Sequence, residues 1–283
     1  MAKVLTSLHG ARRIGLSATD ELLINGTKLS GPTRYRGNSR AVSPVWLNGA
    51  PGDALADPGY AFTLFDDFMH PVSTTVSDTT AWVVQSDGAT GTPVFQDAAG
   101  GVFNIVTAAA DNDYVGRSSV TQPFLFAAGK KLWFECEFKV AEATTNESTW
   151  WVGLSDTLTT GGMQANTSGP LASYDGALIW KTPETAMTVN FETSNAGTQN
   201  TLSAFATSVT NVWQRAGFYF DGKATTSTIT PSFWNGTTWV TGAAQNITLS
   251  GLEEMNVVWG IKAGPTAAAE TFQMDWIKVT QIR

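Results

Sequence analysis

From Tyr60 onward, apolar and polar positions alternate with a period of two, the signature of strands with one face buried. Leu132, Phe134, Cys136, Phe138 and Val140 fall on one face of a segment; Lys131, Trp133, Glu135, Glu137 and Lys139 fall on the other. The pattern predicts a half-buried strand with a polar, wet outer face. Phe103, Ile105 and Thr107 alternate in the same way, as do Val257, Trp259, Ile261 and Ala263. Trp150, Val152 and Leu154 oppose Trp151, Gly153 and Ser155. Ala216, Phe218 and Phe220 lead into a turn at Asp221-Gly222, and Asn235-Gly236 sits between aromatic runs as a hairpin signal, because both residues tolerate positive φ. In the last strand, near Glu270 to Ile282, Phe272, Met274 and Trp276 share a face before Ile277 and Val279 switch to the other. A bulge or burial on both sides explains the switch.

No amphipathic helix stands out after Tyr60. About a dozen strands punctuated by Gly, Asn, Asp and Pro predict an all-β fold, an antiparallel β-sandwich or jelly roll, over residues 60–283. Two smaller β domains are the alternative, disfavoured because no Pro- or Gly-rich gap divides this body. Residues 156–173 read as a long loop.

Residues 1–59 do not read as a folded domain. Gly and Pro recur from Gly10 to Gly59 and leave only short apolar pieces: Val4-Leu5, Leu22-Leu23-Ile24 and Val45-Trp46-Leu47. Such a segment buries too little to offset roughly 1–2 kcal/mol of backbone entropy per residue. It predicts an extended N-terminal arm, ordered only by lying on something larger. The stretch from Asn48 to Gly59 is the linker candidate.

Charge sharpens that division. Residues 1–40 carry seven basic and two acidic residues, a net +5; the remainder carries ten basic and 22 acidic, a net −12. A basic arm suggests an acidic partner, whereas an acidic body with few arm aromatics argues against nucleic acid. No apolar run reaches the roughly 18 residues of a membrane span, and the start lacks a long apolar signal stretch. The expected partners therefore include neither nucleic acid nor membrane.

Candidate chemistry is sparse. The chain has two histidines, His9 and His70, and one cysteine, Cys136, so a disulfide framework and cysteine zinc sites are excluded. Cys136 lies on an inward face, where a thiol behaves as a small hydrophobe. There is no G-x-S-x-G elbow and no phosphate-cradling loop. Glu135 and Glu137 alternate like the first two acids of a laminarinase-type E-x-D-x-x-E strand, but position 140 is Val. With that third acid missing, the expectation is no catalytic residue and no enzyme. No cofactor or metal is assigned. Asp111-Asn112-Asp113 and Asp66-Asp67 read either as turns or as calcium oxygens. Of the 11 tryptophans, Trp133, Trp151 and Trp180 oppose inward-looking alternations, making them candidates for exposure and sugar stacking; core or an oligomer interface is the competing reading. Five N-x-S/T sequons, at Asn25, Asn146, Asn166, Asn235 and Asn246, are expected by chance in a Thr-rich chain.

One resemblance spans nearly the whole chain. It is carried by the opening Met1-Ala-Lys-Val-Leu-Thr-Ser-Leu-His-Gly-Ala-Arg-Arg-Ile-Gly15 and by Phe65-Asp66-Asp67-Phe68. It continues through Trp133 to Val140 with Trp151 to Asp156, then Val212 to Phe218, Gly264 to Thr271 and Met274 to Val279. The pattern resembles capsid decoration (cement) or head-fibre proteins of tailed bacteriophages with a concanavalin-like jelly roll. The resemblance implies a non-catalytic structural protein of the virion, made in the host cytoplasm and bound to the capsid surface, often as a homotrimer. Its partner would be the major capsid protein. On that reading Arg12, Arg13, Arg34, Arg36 and Arg40 pair with shell carboxylates, and Leu22, Leu23, Ile24 and Trp46 are apolar anchors. A carbohydrate- or receptor-binding lectin-like module is the alternative, with weak glycan binding compatible with either.

Overall fold

Long runs of β-branched and aromatic residues with alternating polarity become strands, and Gly, Asn and Asp break them into hairpins. The computed structural model describes residues 43–47, 58–69, 81–87, 101–143, 147–157, 163, 169–183, 187–224 and 226–283, and the backbone alone of strands at 2–5, 21–24, 27–29 and 94–96. The chain divides into two units, Met1–Val42 and Ser43–Arg283. In the first, β1 (Ala2–Leu5) pairs in parallel with β2 (Glu21–Ile24), which pairs antiparallel with β3 (Thr27–Leu29).

The second unit is a two-sheet sandwich. One sheet has seven strands in the order β13 (Thr198–Thr207), β12 (Thr188–Asn195), β11 (Gly176–Lys181), β10 (Thr149–Ser155), β18 (Asn256–Lys262), β8 (Tyr114–Ser119) and β5 (Trp82–Ser86). The other runs β16 (Trp239–Thr241), β15 (Ser227–Trp234), β14 (Trp213–Phe220), β9 (Leu132–Ala141), β19 (Thr271–Ile282), β7 (Val102–Val106) and β6 (Val94–Gln96). Here β17 (Gln245–Ile247) adds to β15, and β4 (Ala61–Asp66) adds to β19. Every pairing within this unit is antiparallel. The all-β sandwich expected from the alternation is therefore present.

The inner faces match the pattern. Leu132, Phe134, Cys136, Phe138 and Val140 of β9 meet Trp150, Val152 and Leu154 of β10 in one core. Trp259 lies at its centre, with ring centroids of Phe103, Phe272, Phe68 and Trp82 at 5.4, 5.5, 6.2 and 6.2 Å. In β19 the register with β9 shifts between Met274 and Trp276, so the expected bulge sits at Asp275. It lets Phe272 and Met274, and then Ile277 and Val279, all face the core.

The segment expected to end the arm belongs in part to the sandwich. A single helical turn, α1 (Pro44–Leu47), packs on β9, β14 and β15, with Val45 buried. Trp46, half-buried, sits on this unit with Lys278 Nζ over its ring. Leu22, Leu23 and Ile24 fall on β2, whereas Arg12, Arg13, Arg34, Arg36 and Arg40 lie outside the described residues.

Candidate functional site: a polar cleft at one end of the sandwich

Trp133, Trp151 and Trp180, expected to be exposed on outer faces, are covered. Trp133 is completely buried beside Tyr219, with ring centroids 5.6 Å apart. Trp151 lies over Gly116 and Gly260 of the neighbouring strands; a Cβ on Gly260 would come within 2.4 Å of its ring. Trp180 packs against Gly169, whose Cβ would stand 2.8 Å from the indole. Trp151, Met163, Tyr174, Leu178, Trp180 and Val258 form a second apolar cluster, with Met163 and Gly169 supplied by the 156–173 loop. These three tryptophans do face outward from the main core, but other parts of the chain cover them. They offer no open stacking platform.

Glu135 and Glu137, expected on a wet face, are 1% and 2% exposed. Glu137 Oε2 accepts from Arg215 Nε at 3.0 Å and from Trp276 Nε1 at 3.1 Å. Burial raises the Glu135 carboxyl to about 7 despite opposing contacts with Ser43, Arg215 and Trp46. Cys136 is inward as expected; burial first, then the nearby Glu135, pushes its thiol well up.

The two aspartate groups form turns. Asp66 Oδ1 accepts from Phe68 N, and its Oδ2 accepts from Trp82 Nε1, both at 2.7 Å. Asn112 takes φ 65° in the turn before β8, and buried Asp113 turns its carboxyl back to accept from Ala108 N. Among the described residues no three His, Cys, Asp or Glu are grouped to hold a metal ion.

Among the described residues, a shallow, open cleft of about 550 Å³ is lined by Val120, Thr121, Gln122, Glu254 and Asn256. It lies where β8 ends and β18 begins. Asn256, the first residue of β18, donates its side-chain N–H groups to Ser119 O at 2.5 Å and Thr121 O at 3.1 Å. Those bonds fix the amide plane. Its Oδ1 is buried and has no hydrogen-bond partner among the described residues. The Ser119 hydroxyl donates to Thr121 O at 2.8 Å and accepts from Val257 N at 3.0 Å, holding the 120–122 loop to the strand end. Gln122 Nε2 reaches Asp156 O at 3.4 Å.

The surrounding rim is pinned by one carboxylate. Asp175 accepts from Ala196 N at 2.6 Å and Glu253 N at 2.7 Å, while its own N–H donates to Asp156 Oδ1 at 2.7 Å. Met255 N donates to Phe124 O at 2.7 Å, tying the two cleft walls together. The site is therefore preorganised, and its charge is one-sided: Glu254 lines it with no Lys or Arg. Val120, 47% exposed, supplies the apolar surface. Adjacent Glu253 and Glu254 point in different directions along a strand and so form no catalytic pair, and no pattern links Glu254 to the other lining residues. Apart from Val120 they are ordinary polar side chains at strand ends, in two groups at least 132 positions apart, without a spacing motif.

No protein-family model and no curated protein sequence matches this chain. Solved structures do share its fold. Peanut lectin with a nine-residue peptide superposes with a TM-score of 0.52 at 12% identity, covering 78% of this chain and 97% of the lectin. Lectin UEA-II complexed with galactose gives 0.52 at 10% identity, covering 78% and 98%. Basic winged bean lectin with Tn-antigen gives 0.51 at 12% identity, again covering 78% and 98%. The likeness is one of fold: the sandwich is of the legume-lectin, concanavalin-like type.

Proposed function

We propose that the sandwich is a non-catalytic glycan-binding module whose ligand occupies the cleft at Val120–Gln122 and Glu254–Asn256. The observation that supports this most is the cleft itself: a preorganised polar wall beside an exposed valine, on a fold shared with lectins bound to galactose and Tn-antigen. Sugar hydroxyls donate well to a carboxylate, and Glu254 offers one. Thr121 and Gln122 add groups that both donate and accept. A C–H face of the pyranose packs on Val120. Because the wall carries an acid and no base, the ligand class is neutral glycans; sialylated or uronate-containing glycans meet like charge. Contacts of this kind, without an aromatic platform, give weak binding strengthened by multivalency. A glycan array displaying neutral and acidic sugars at high density tests the reading. Binding to neutral glycans that Glu254→Ala and Gln122→Ala each weaken at least fivefold supports it. A blank array, or binding unchanged by both variants, contradicts it.

A second reading rests on the charge division, +5 over residues 1–40 against −12 over the rest. It makes the N-terminal residues an attachment segment for an acidic surface, such as the capsid shell of a phage, with the protein as a homotrimer on the virion. Each exposed ion pair contributes about 0–1 kcal/mol, so the hold would come from several arms at once. Removing residues 1–42, which leaves the sandwich whole, abolishes capsid attachment on this reading. Unchanged decoration by the truncated protein contradicts it.

A further inference from the structure

The outer face of the nine-stranded sheet carries a second surface, on the opposite sheet from the cleft. Register sets its side chains out in rows across the strands. Trp239 of β16 lies beside Trp234 of β15, followed by Arg215 of β14, Glu137 of β9 and Trp276 of β19. In the next row Trp213 of β14 lies beside Lys139 of β9. The row on the other side is covered at Gly217 by α1, whose Val45 packs there. Trp213, Trp239, Trp276, Lys139 and Arg215 are half-buried, so part of each side chain reaches solvent. Trp234 is 9% exposed and tilts against Trp239, with ring centroids 5.9 Å apart.

The cations of this face are held on the indoles. Lys139 Nζ lies 5.1 Å from the Trp213 ring centroid, and Arg215 Cζ lies 5.4 Å from that of Trp276. The glutamates of β9 lie beneath them, 1% exposed at Glu135 and 2% at Glu137. Glu137 Oε2 accepts from both Arg215 Nε and Trp276 Nε1, which fixes the two side chains together. Lys139 makes no ion pair among the described residues. The half-buried acid adjoining the group in sequence is Asp275, at the bulge. A protein of net charge −7 thus turns cations and indoles outward here and keeps two carboxyl groups underneath.

A pyranose bearing a carboxylate or sulfate has an apolar C–H face and a charged edge. An indole with a cation about 5 Å away matches both at once. An acidic polypeptide supplies the charge without the flat apolar face. Trp213 and Arg215 are two positions apart on β14, about 7 Å, so two indole–cation couples lie side by side and suit consecutive sugars of a chain. We propose that this face binds an anionic glycan chain, with its carboxylate or sulfate groups on Lys139 and Arg215 and its sugar rings on Trp213 and Trp276. The site is independent of the cleft, whose Glu254 repels such chains.

Tryptophan fluorescence of the full chain tests it, in titrations with hexamers of galacturonate, of chondroitin sulfate and of cellulose, and with poly-glutamate. Saturable binding of either acidic hexamer, at least tenfold tighter than cellohexaose and poly-glutamate, supports the proposal, and the tighter of the two names the anion. That binding weakens at least fivefold between 50 and 500 mM NaCl. Lys139→Glu weakens it at least tenfold and Trp213→Ala at least threefold. No saturable change with either acidic hexamer at millimolar concentration overturns the proposal, as does equal binding of cellohexaose. Equal binding of poly-glutamate overturns it in favour of an acidic polypeptide. Self-association of the free protein that Lys139→Glu abolishes overturns it in favour of a second copy. Acidic-hexamer binding that Lys139→Glu leaves unchanged also overturns it, and should Trp213→Ala not fold, that variant decides alone.

Discussion

Gly260 decides what the outer face of the seven-stranded sheet can hold. It and Gly116 leave a flat bed for the Trp151 ring, and a methyl group at Gly260 would stand 2.4 Å from that ring and 2.8 Å from the Gly116 Cα. Gly260→Ala therefore lifts Trp151 off the sheet and destabilises the protein by about 1–3 kcal/mol, the usual cost of overpacking, read as a lower denaturant midpoint. Lys181 is a second residue with no slack. Its Nζ donates to Glu142 Oε1 and to Ser148 O, both at 2.8 Å, and both ion-pair side chains are fully buried. Lys181→Ala takes the cation from buried Glu142, which keeps only neutral donors such as Ser148 N and Oγ on Oε1, and costs about 3–5 kcal/mol in urea denaturation; Lys181→Met with Glu142→Leu recovers much of that loss. Neither effect is legible from local pattern. Alternation correctly put Trp151 and Glu135 on outer faces. What it lacks is any signal that the irregular loop following β10, or α1 some ninety residues before Glu135, would cover those faces. Burial of an outer face is decided by tertiary contacts, whereas the side of the strand a residue occupies is decided by its own position.

Elements whose instructions are local were legible. The Asp275 bulge follows from the switch of apolar face between Trp276 and Ile277, and the Asp221-Gly222 turn forms with Gly222 at φ 64°. The Asn235-Gly236 hairpin is present but longer than a two-residue turn: Trp234 pairs with Trp239, and only Gly236 of the pair takes positive φ, at 94°. Asn235 contributes through its side chain instead, with Oδ1 accepting from Thr237 N at 3.0 Å and Thr238 N at 2.9 Å. Asn235→Ala removes both bonds and costs about 0.5–1.5 kcal/mol at this hairpin, measurable as faster exchange at Thr237 and Thr238. The candidate cleft was not legible for the opposite reason. Thr121, Gln122, Glu254 and Asn256 meet only because β8 and β18 are neighbours, a pairing across more than a hundred residues that no local pattern encodes.

At the scale of the whole molecule, buried acids set the pH response. Burial raises Glu135 and Glu270 to about 7 and, with Asp87 nearby, Asp113 to about 6. A group whose folded pKa lies above its unfolded value binds more protons in the native state. The stability it confers is complete below the unfolded value, near 4–4.5, and is lost as pH rises through the folded value. Stability therefore declines between about pH 4.5 and 7, by on the order of 3 kcal/mol for Glu135 alone, read as a falling urea midpoint, and Glu135→Gln and Glu270→Gln each flatten the slope. A midpoint that rises over that interval contradicts the assignment. The likeness to lectins belongs to this scale too, since it lies in the overall fold, at 10–12% identity, rather than in shared residues. The most direct measurement of the central claim, that the cleft takes neutral glycan, is an NMR titration of isotope-labelled protein with methyl galactoside and methyl glucoside. The account predicts saturable shifts concentrated at Thr121, the Gln122 side-chain amide, Glu254 and Asn256; saturable shifts confined to another surface, or none with either sugar at tens of millimolar, contradict it.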